Sequence, residues 1–176
     1  GKDAEAMELF DESLRAACAA GAEKMVLHMW GGVVSDSCFA HNLTYLPRMV
    51  DRCGEAGVTL CVENVPCSCG DPIAHWRDCE ALCPDVRFIY DTRFGYFAGT
   101  LERDVGLFSD EVFGKKTVHM HISDFTGVQH DFHCLRPIPM PGEGSIDFNS
   151  FFSAIKPIYS GTVTLESPSL DEHGHV

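Results

Sequence analysis

What most restricts this chain is a repeated device: a short apolar run that closes on a residue able to bind a metal, followed by a helix-forming segment. The clearest copy is Leu60-Cys61-Val62-Glu63-Asn64-Val65-Pro66, where a carboxylate ends an apolar run and Asn and Pro stop it. Met25–Trp30 with His28, Val86–Asp91, Thr117–Ile122 with His121, and Thr162–Glu166 repeat the pattern. Between them the apolar spacing turns helical. Met7, Phe10, Leu14 and Ala17 mark a helix from Asp3 to Ala20, and Leu43, Leu46, Val50 and Cys53 mark one over Asn42–Glu55. Asp71-Pro72 supplies a cap and a first-turn proline for a helix ending at Cys83. Further helices are expected over Leu101–Phe113 and from the Asp147 cap to Lys156, with a long polar loop over Ser123–Ser145. Strand starts fall mostly about 30 residues apart, the α/β alternation of a parallel sheet covered by helices. No linker or composition shift interrupts it, so residues 1–176 read as one domain, with the tail after Pro168 left unstructured.

Charge narrows the partners. Asp and Glu outnumber Lys and Arg by 26 to 13, for a net charge of −13. That balance argues against nucleic acid, whose phosphates are held by clustered Lys and Arg. It suits a metal ion and a neutral sugar better. No apolar run is long enough to span a membrane, and the first residues do not read as a signal peptide. The nine cysteines, an odd number scattered over apolar positions, read as free thiols in a reducing cytoplasm. Cys67, Cys69, Cys79 and Cys83 offer a second reading as a zinc site, but C-x-C followed by C-x-x-x-C is a poor zinc spacing.

The chemistry lies at the strand ends. His28, Glu63, Asp91, His121 and Glu166 each close a strand, and in a parallel α/β fold the carboxyl ends of the strands share one face. Buried charges gathered there need a cation or substrate to compensate them. Singly, each has a plainer reading. His28 can be a core histidine, Asp91 the cap of the Asp91-Thr92 turn, and Glu166 a solvated strand end. Jointly, one geometry explains all five. His119 points to the same side as His121 and is expected near substrate. Oxygen and imidazole ligands without a thiolate suit one divalent ion, Mn²⁺ first, with Mg²⁺, Co²⁺ or Zn²⁺ as alternatives.

Several pieces of sequence resemble the xylose-isomerase-like barrel superfamily, in particular its sugar phosphate isomerase/epimerase and endonuclease-IV-type group. They are Val26-Leu27-His28, Cys61-Val62-Glu63-Asn64-Val65-Pro66, Tyr90-Asp91-Thr92, and the run from Val118 through His119 and His121 to Asp124. Pro141-Gly142-Glu143-Gly144-Ser145-Ile146-Asp147-Phe148 and Gly161-Thr162-Val163-Thr164-Leu165-Glu166 complete the set. The resemblance implies a (β/α)8 TIM barrel and a metal held by Glu63, Asp91, His121 and Glu166, with Glu63 and Glu166 also exchanging protons with a sugar carbon. A full barrel takes about 250 residues and eight strands. The five βα units here correspond to strands four to eight, so the barrel is incomplete in this chain. The edges at Met25–Trp30 and Thr162–Glu166 are then open to pairing with another copy.

The chain departs from the family pattern at two places. After the strand-end Asp the family has Asp-x-x-His, and here the last position is Phe94; the arginine of the epimerases would fall near Gly127. Trp30 and Phe94 are expected as an apolar wall against a sugar. The first function implied is a metal-dependent sugar or sugar phosphate isomerase/epimerase. The second is an abasic-site endonuclease with a zinc cluster, favoured by His28 and by Asp131-Phe132-His133 but opposed by Phe94 and the acidic surface. The third is an inactive remnant.

Overall fold

The computed structural model describes residues 2–31 and 35–166; the tail after Pro168 and Gly32 lie outside these. The chain divides into two compact units, the first within Gly1–Glu63 and Cys67–Arg87, the second within Asn64–Pro66 and from Phe88 onward.

In the first unit, α1 (Lys2–Ala19) buries Met7, Phe10 and Leu14, the stripe its spacing predicts, and Gly21 at φ 68° turns the chain out of it. β1 (Lys24–Leu27) pairs in parallel with β2 (Thr59–Glu63), from Lys24 opposite Thr59 to Leu27 opposite Val62. β2 is buried from Leu60 to Glu63, so Glu63 arrives at the strand end already out of solvent. α4 (Pro72–Leu82) starts as expected: the Asp71 side chain accepts the amides of Ile73 and Ala74, and Pro72 fills the first turn.

The helix expected over residues 42–55 is two, α2 (Phe39–Leu43) and α3 (Leu46–Glu55), preceded by a 3₁₀ turn, Ser35–Cys38. Pro47 explains the break. It is tolerated in the first turn of α3, but in a continuous helix its ring would collide with the carbonyl four residues earlier.

In the second unit, β3 (Arg87–Asp91), β4 (Thr117–Ile122) and β5 (Thr162–Leu165) pair in parallel in chain order. Asp91 lies opposite His121, and His121 opposite Thr164. Five parallel strands interleaved with helices make this an incomplete TIM barrel of the α/β class. Every residue of β5 is exposed, Leu165 by 63%.

Two further helical features differ from the sequence reading. α5 (Thr92–Phe97) opens directly after β3 where no helix was expected, because Asp91 caps it. The helix expected over 101–113 is α6 (Leu101–Val105), a 3₁₀ turn (Gly106–Ser109) and α7 (Phe113–Lys116). There the Asp110 side chain accepts the amides of Val112 and Phe113 and restarts the helix.

The long loop after β4 is tied down by one buried carboxylate. Asp124, fully buried, accepts the backbone N–H groups of Phe125, Gly142, Gly144 and Ile146 at 2.8–3.0 Å. A Cβ at Gly144 would sit 2.3 Å from the Asp124 oxygen, so only glycine lets the backbone come this close. The loop then runs into Asp147, which caps α8 (Phe148–Ile155). Asp131 caps a 3₁₀ turn, Phe132–Leu135, within the same loop.

Candidate metal centre

Asp91 shows how the second unit holds a buried carboxylate at a strand end. It is fully buried at the end of β3, and its Oδ1 accepts the amides of Arg93 at 2.7 Å and Phe94 at 3.3 Å. The Ser123 hydroxyl, at the end of the neighbouring strand, reaches the same oxygen at 3.1 Å and Oδ2 at 3.4 Å. The Arg93 guanidinium stands 3.8 Å from Oδ2. Thus the residue is a helix cap and a strand-end carboxylate at once; the two readings open in the sequence describe one side chain.

Asn64 clamps the backbone beneath it. Its side-chain oxygen accepts the Asp91 amide at 2.7 Å, and its NH₂ donates to the Asp91 carbonyl at 3.2 Å.

His121 faces Asp91 across the β3–β4 ladder, and its Nδ1 lies 3.0 Å from Glu166 Oε2. One ligand atom each from Asp91, His121 and Glu166 falls within 4.8 Å of the others. Two carboxylates and an imidazole so close repel or compete unless a cation or shared protons hold them, and this donor set suits Mn²⁺, Mg²⁺, Co²⁺ or Zn²⁺. His119, two residues earlier on the same side of β4, packs edge-on to His121 at 5.2 Å, and its Nδ1 is 2.6 Å from the Thr162 hydroxyl.

In the first unit, Glu63 is the matching buried carboxylate. Its side chain is 3% exposed, and its Oε2 lies 2.6 Å from Nε2 of His28, whose ring is 55% exposed. His28 is therefore an exposed partner of a buried acid and no core histidine.

The remaining expected residues are placed as follows. Trp30 is buried, packed edge-on against Phe39 at 5.4 Å and His75 at 4.8 Å. Phe94 is buried with the Arg93 guanidinium 4.5 Å above its ring, so the position where the family pattern has histidine carries a cation–π contact instead. The Asp131 carboxylate accepts the His133 amide, and His133 is exposed. Sequence reasoning missed Asn64, Ser123 and Arg93. The one available signal was that Asn64 directly follows the strand-end Glu63.

A family model described as xylose isomerase-like TIM barrel matches residues 1–175, and the chain belongs to that family. Solved structures share the fold. The IOLI protein crystallised with a binding zinc atom superposes with a TM-score of 0.71 at 19% identity, over 94% of this chain and 61% of that one. D-allulose 3-epimerase from Methylomonas sp., in complex with D-allulose, gives 0.63 at 21% identity, covering 91% and 55%. A D-tagatose 3-epimerase-like protein gives 0.68 at 20% identity, covering 88% and 59%. The present chain thus spans between 55% and 61% of the length of these proteins. No curated protein sequence matches it. Among the described residues, no helix is long and apolar enough to cross a membrane.

Proposed function

We propose that this chain carries the metal-binding part of a divalent-metal-dependent sugar or sugar phosphate isomerase/epimerase, which moves a proton at a carbon next to a carbonyl. The observation that carries the reading is the convergence of Asp91, His121 and Glu166 without a thiolate. Glu63 would be the fourth ligand. Support comes from the chain itself: Glu63 is joined by one peptide bond to Asn64, whose side chain holds the Asp91 backbone. The D-allulose complex of a protein with this fold supports a sugar as substrate class.

An ion bound here, Mn²⁺ by preference, would polarise the substrate carbonyl and its neighbouring hydroxyl. Glu63 and Glu166 would remove and return the proton. A carboxylate can do this if a nearby cation keeps it ionised and a hydrogen bond keeps it aimed. His28 supplies such a bond to Glu63 and, being half exposed, links that carboxylate to bulk water. Asp91 and His121 would orient without exchanging protons, Asp91 held rigid by three hydrogen-bond donors and the nearby Arg93 guanidinium. His119 would face the substrate beside His121.

The test is proton exchange. With Mn²⁺ and a panel of ketohexoses in deuterated water, the protein should incorporate deuterium at the carbon next to the carbonyl. Glu63→Gln should lose that incorporation by at least about a hundredfold, the general-acid/base contribution, while still binding Mn²⁺. Exchange by the variant at the parent rate would sink the role.

A further inference from the structure

The first unit holds a second cluster of metal-ligating side chains, Asp36, Cys67 and His75, on the loop after β1, the loop after β2 and the first turn of α4. One ligand atom of each lies within 4.8 Å of the others. Three observations about it have no explanation in packing alone.

First, Nε2 of His75 is buried and has no hydrogen-bond partner. Leaving such an atom unpaired costs about 1–3 kcal/mol. Its ring is fixed by stacking on Phe39 at 3.9 Å and by the edge contact with Trp30.

Second, that nitrogen stands 3.6 Å from Oδ2 of Asp36. The gap is too long for a hydrogen bond. It is close to the separation of an oxygen and a nitrogen ligand on one tetrahedral ion, which with bonds of about 2.0–2.2 Å lie about 3.3–3.5 Å apart.

Third, the groups around the cluster hold donor atoms in place. The Asp36 carboxylate, fully buried, accepts the Ser68 hydroxyl and the amides of Ser68, Cys69 and Gly70. Trp30, whose indole can only donate, is hydrogen-bonded to the Cys67 sulfur. Bonds of this kind orient metal ligands from the layer behind them. A Cβ at Gly70 would sit 2.9 Å from the His75 ring, so glycine keeps the cluster open.

We propose that Asp36, Cys67 and His75 form a second metal site, selective for a borderline-soft divalent ion of the zinc class, with its fourth position taken by solvent or an external ligand. Its donor set is O, S and N, whereas Asp91, His121 and Glu166 offer no sulfur, so the two sites differ in chemistry. The site stands independently of the proposed isomerase reading. Its ion clamps the turn at residues 35–38 to the segment 67–70 and to α4.

Cobalt distinguishes the sites, because only thiolate ligation gives a strong near-ultraviolet sulfur-to-metal charge-transfer band. Co²⁺ titrated into the reduced, chelator-treated chain should produce that band, saturating by two equivalents, when both centres are filled. Cys67→Ser and His75→Gln should each lose it, while Glu166→Gln, in the other centre, should keep it. Because Cys67→Ser can fail to fold, a second measurement uses the parent chain: Zn²⁺ should slow alkylation of Cys67 at least tenfold, followed by peptide mass spectrometry, without slowing exposed Cys18. Absence of the band, a band that survives Cys67→Ser, or a Cys67 alkylation rate unaffected by Zn²⁺ overturns the proposal.

Discussion

The Asn64 side chain brackets the backbone of Asp91, accepting its amide at 2.7 Å and donating to its carbonyl at 3.2 Å. Asn64 is 1% exposed, so water cannot replace either bond. Asn64→Ala should therefore destabilise the fold by about 2–4 kcal/mol, two lost hydrogen bonds with one buried donor left unpaired. Urea unfolding would measure it. A loss below about 0.5 kcal/mol would mean the strand end is held by something else.

Ser123 acts on the same aspartate from the other side. Its hydroxyl, buried with the rest of the residue, orients the Asp91 carboxylate. Ser123→Ala should weaken Mn²⁺ binding about tenfold or more, as removal of outer-shell hydrogen bonds does elsewhere. Calorimetric titration reads the affinity, and the melting temperature of the metal-free chain should also fall, because a buried hydrogen bond to a carboxylate is lost. Unaltered affinity would detach Ser123 from the metal site.

Asp124 gives a prediction for the loop. Asn at this position keeps one acceptor oxygen but turns an NH₂ toward backbone amides that now donate to a carboxylate. Asp124→Asn should cost about 2–4 kcal/mol, since charge-assisted bonds are the stronger class. It should also expose residues 139–146 to limited proteolysis. An intact loop under protease would count against a carboxylate-centred anchor.

The buried thiols set an alkaline limit. Burial pushes Cys53 up to about 11, with Cys18 adding to the effect. Burial lifts Cys61 to about 12 against the pull of Lys24 and Arg87, and Cys79 to about 12 with help from Asp78 and Cys83. The folded chain thus keeps protons that the unfolded chain releases above about pH 8.5–9. Stability should be complete below that range and fall as pH rises toward 12. Cys61 alone contributes up to about 1.4 kcal/mol per pH unit in the window. Cys61→Ala should flatten the slope of urea stability between pH 9 and 11. At pH 8, iodoacetamide should label exposed Cys18, Cys38 and Cys69 and spare Cys53, Cys61 and Cys79.

Local signals carried most of the architecture. Strand β4 runs over Thr117–Ile122 as its apolar pattern says, and Asp71-Pro72 starts α4 as its cap chemistry says. Strand-end residues were legible because alternation and chain order alone assign them to one face. Their supports were not, because each depends on a partner far along the chain: Asn64 on Asp91, Ser123 on Asp91, Asp124 on residues 142–146. Reading the cysteines by mutual spacing failed for the same reason. Among the described residues, Cys67 meets Asp36 and His75, while Cys79 and Cys83 are buried at the far end of α4. Helix breaks at Pro47 and Asp110 followed from known chemistry, but the apolar stripe running across them masked it.

One oxygen of Asp91 accepts the amides of Arg93 and Phe94, so the first turn of α5 is wired to whatever binds that carboxylate. When a cation draws charge from Asp91, those two amide protons feel it first. In a nitrogen–proton correlation spectrum they become a built-in gauge of occupancy. They can be read with diamagnetic Mg²⁺ or Zn²⁺, before any substrate is known.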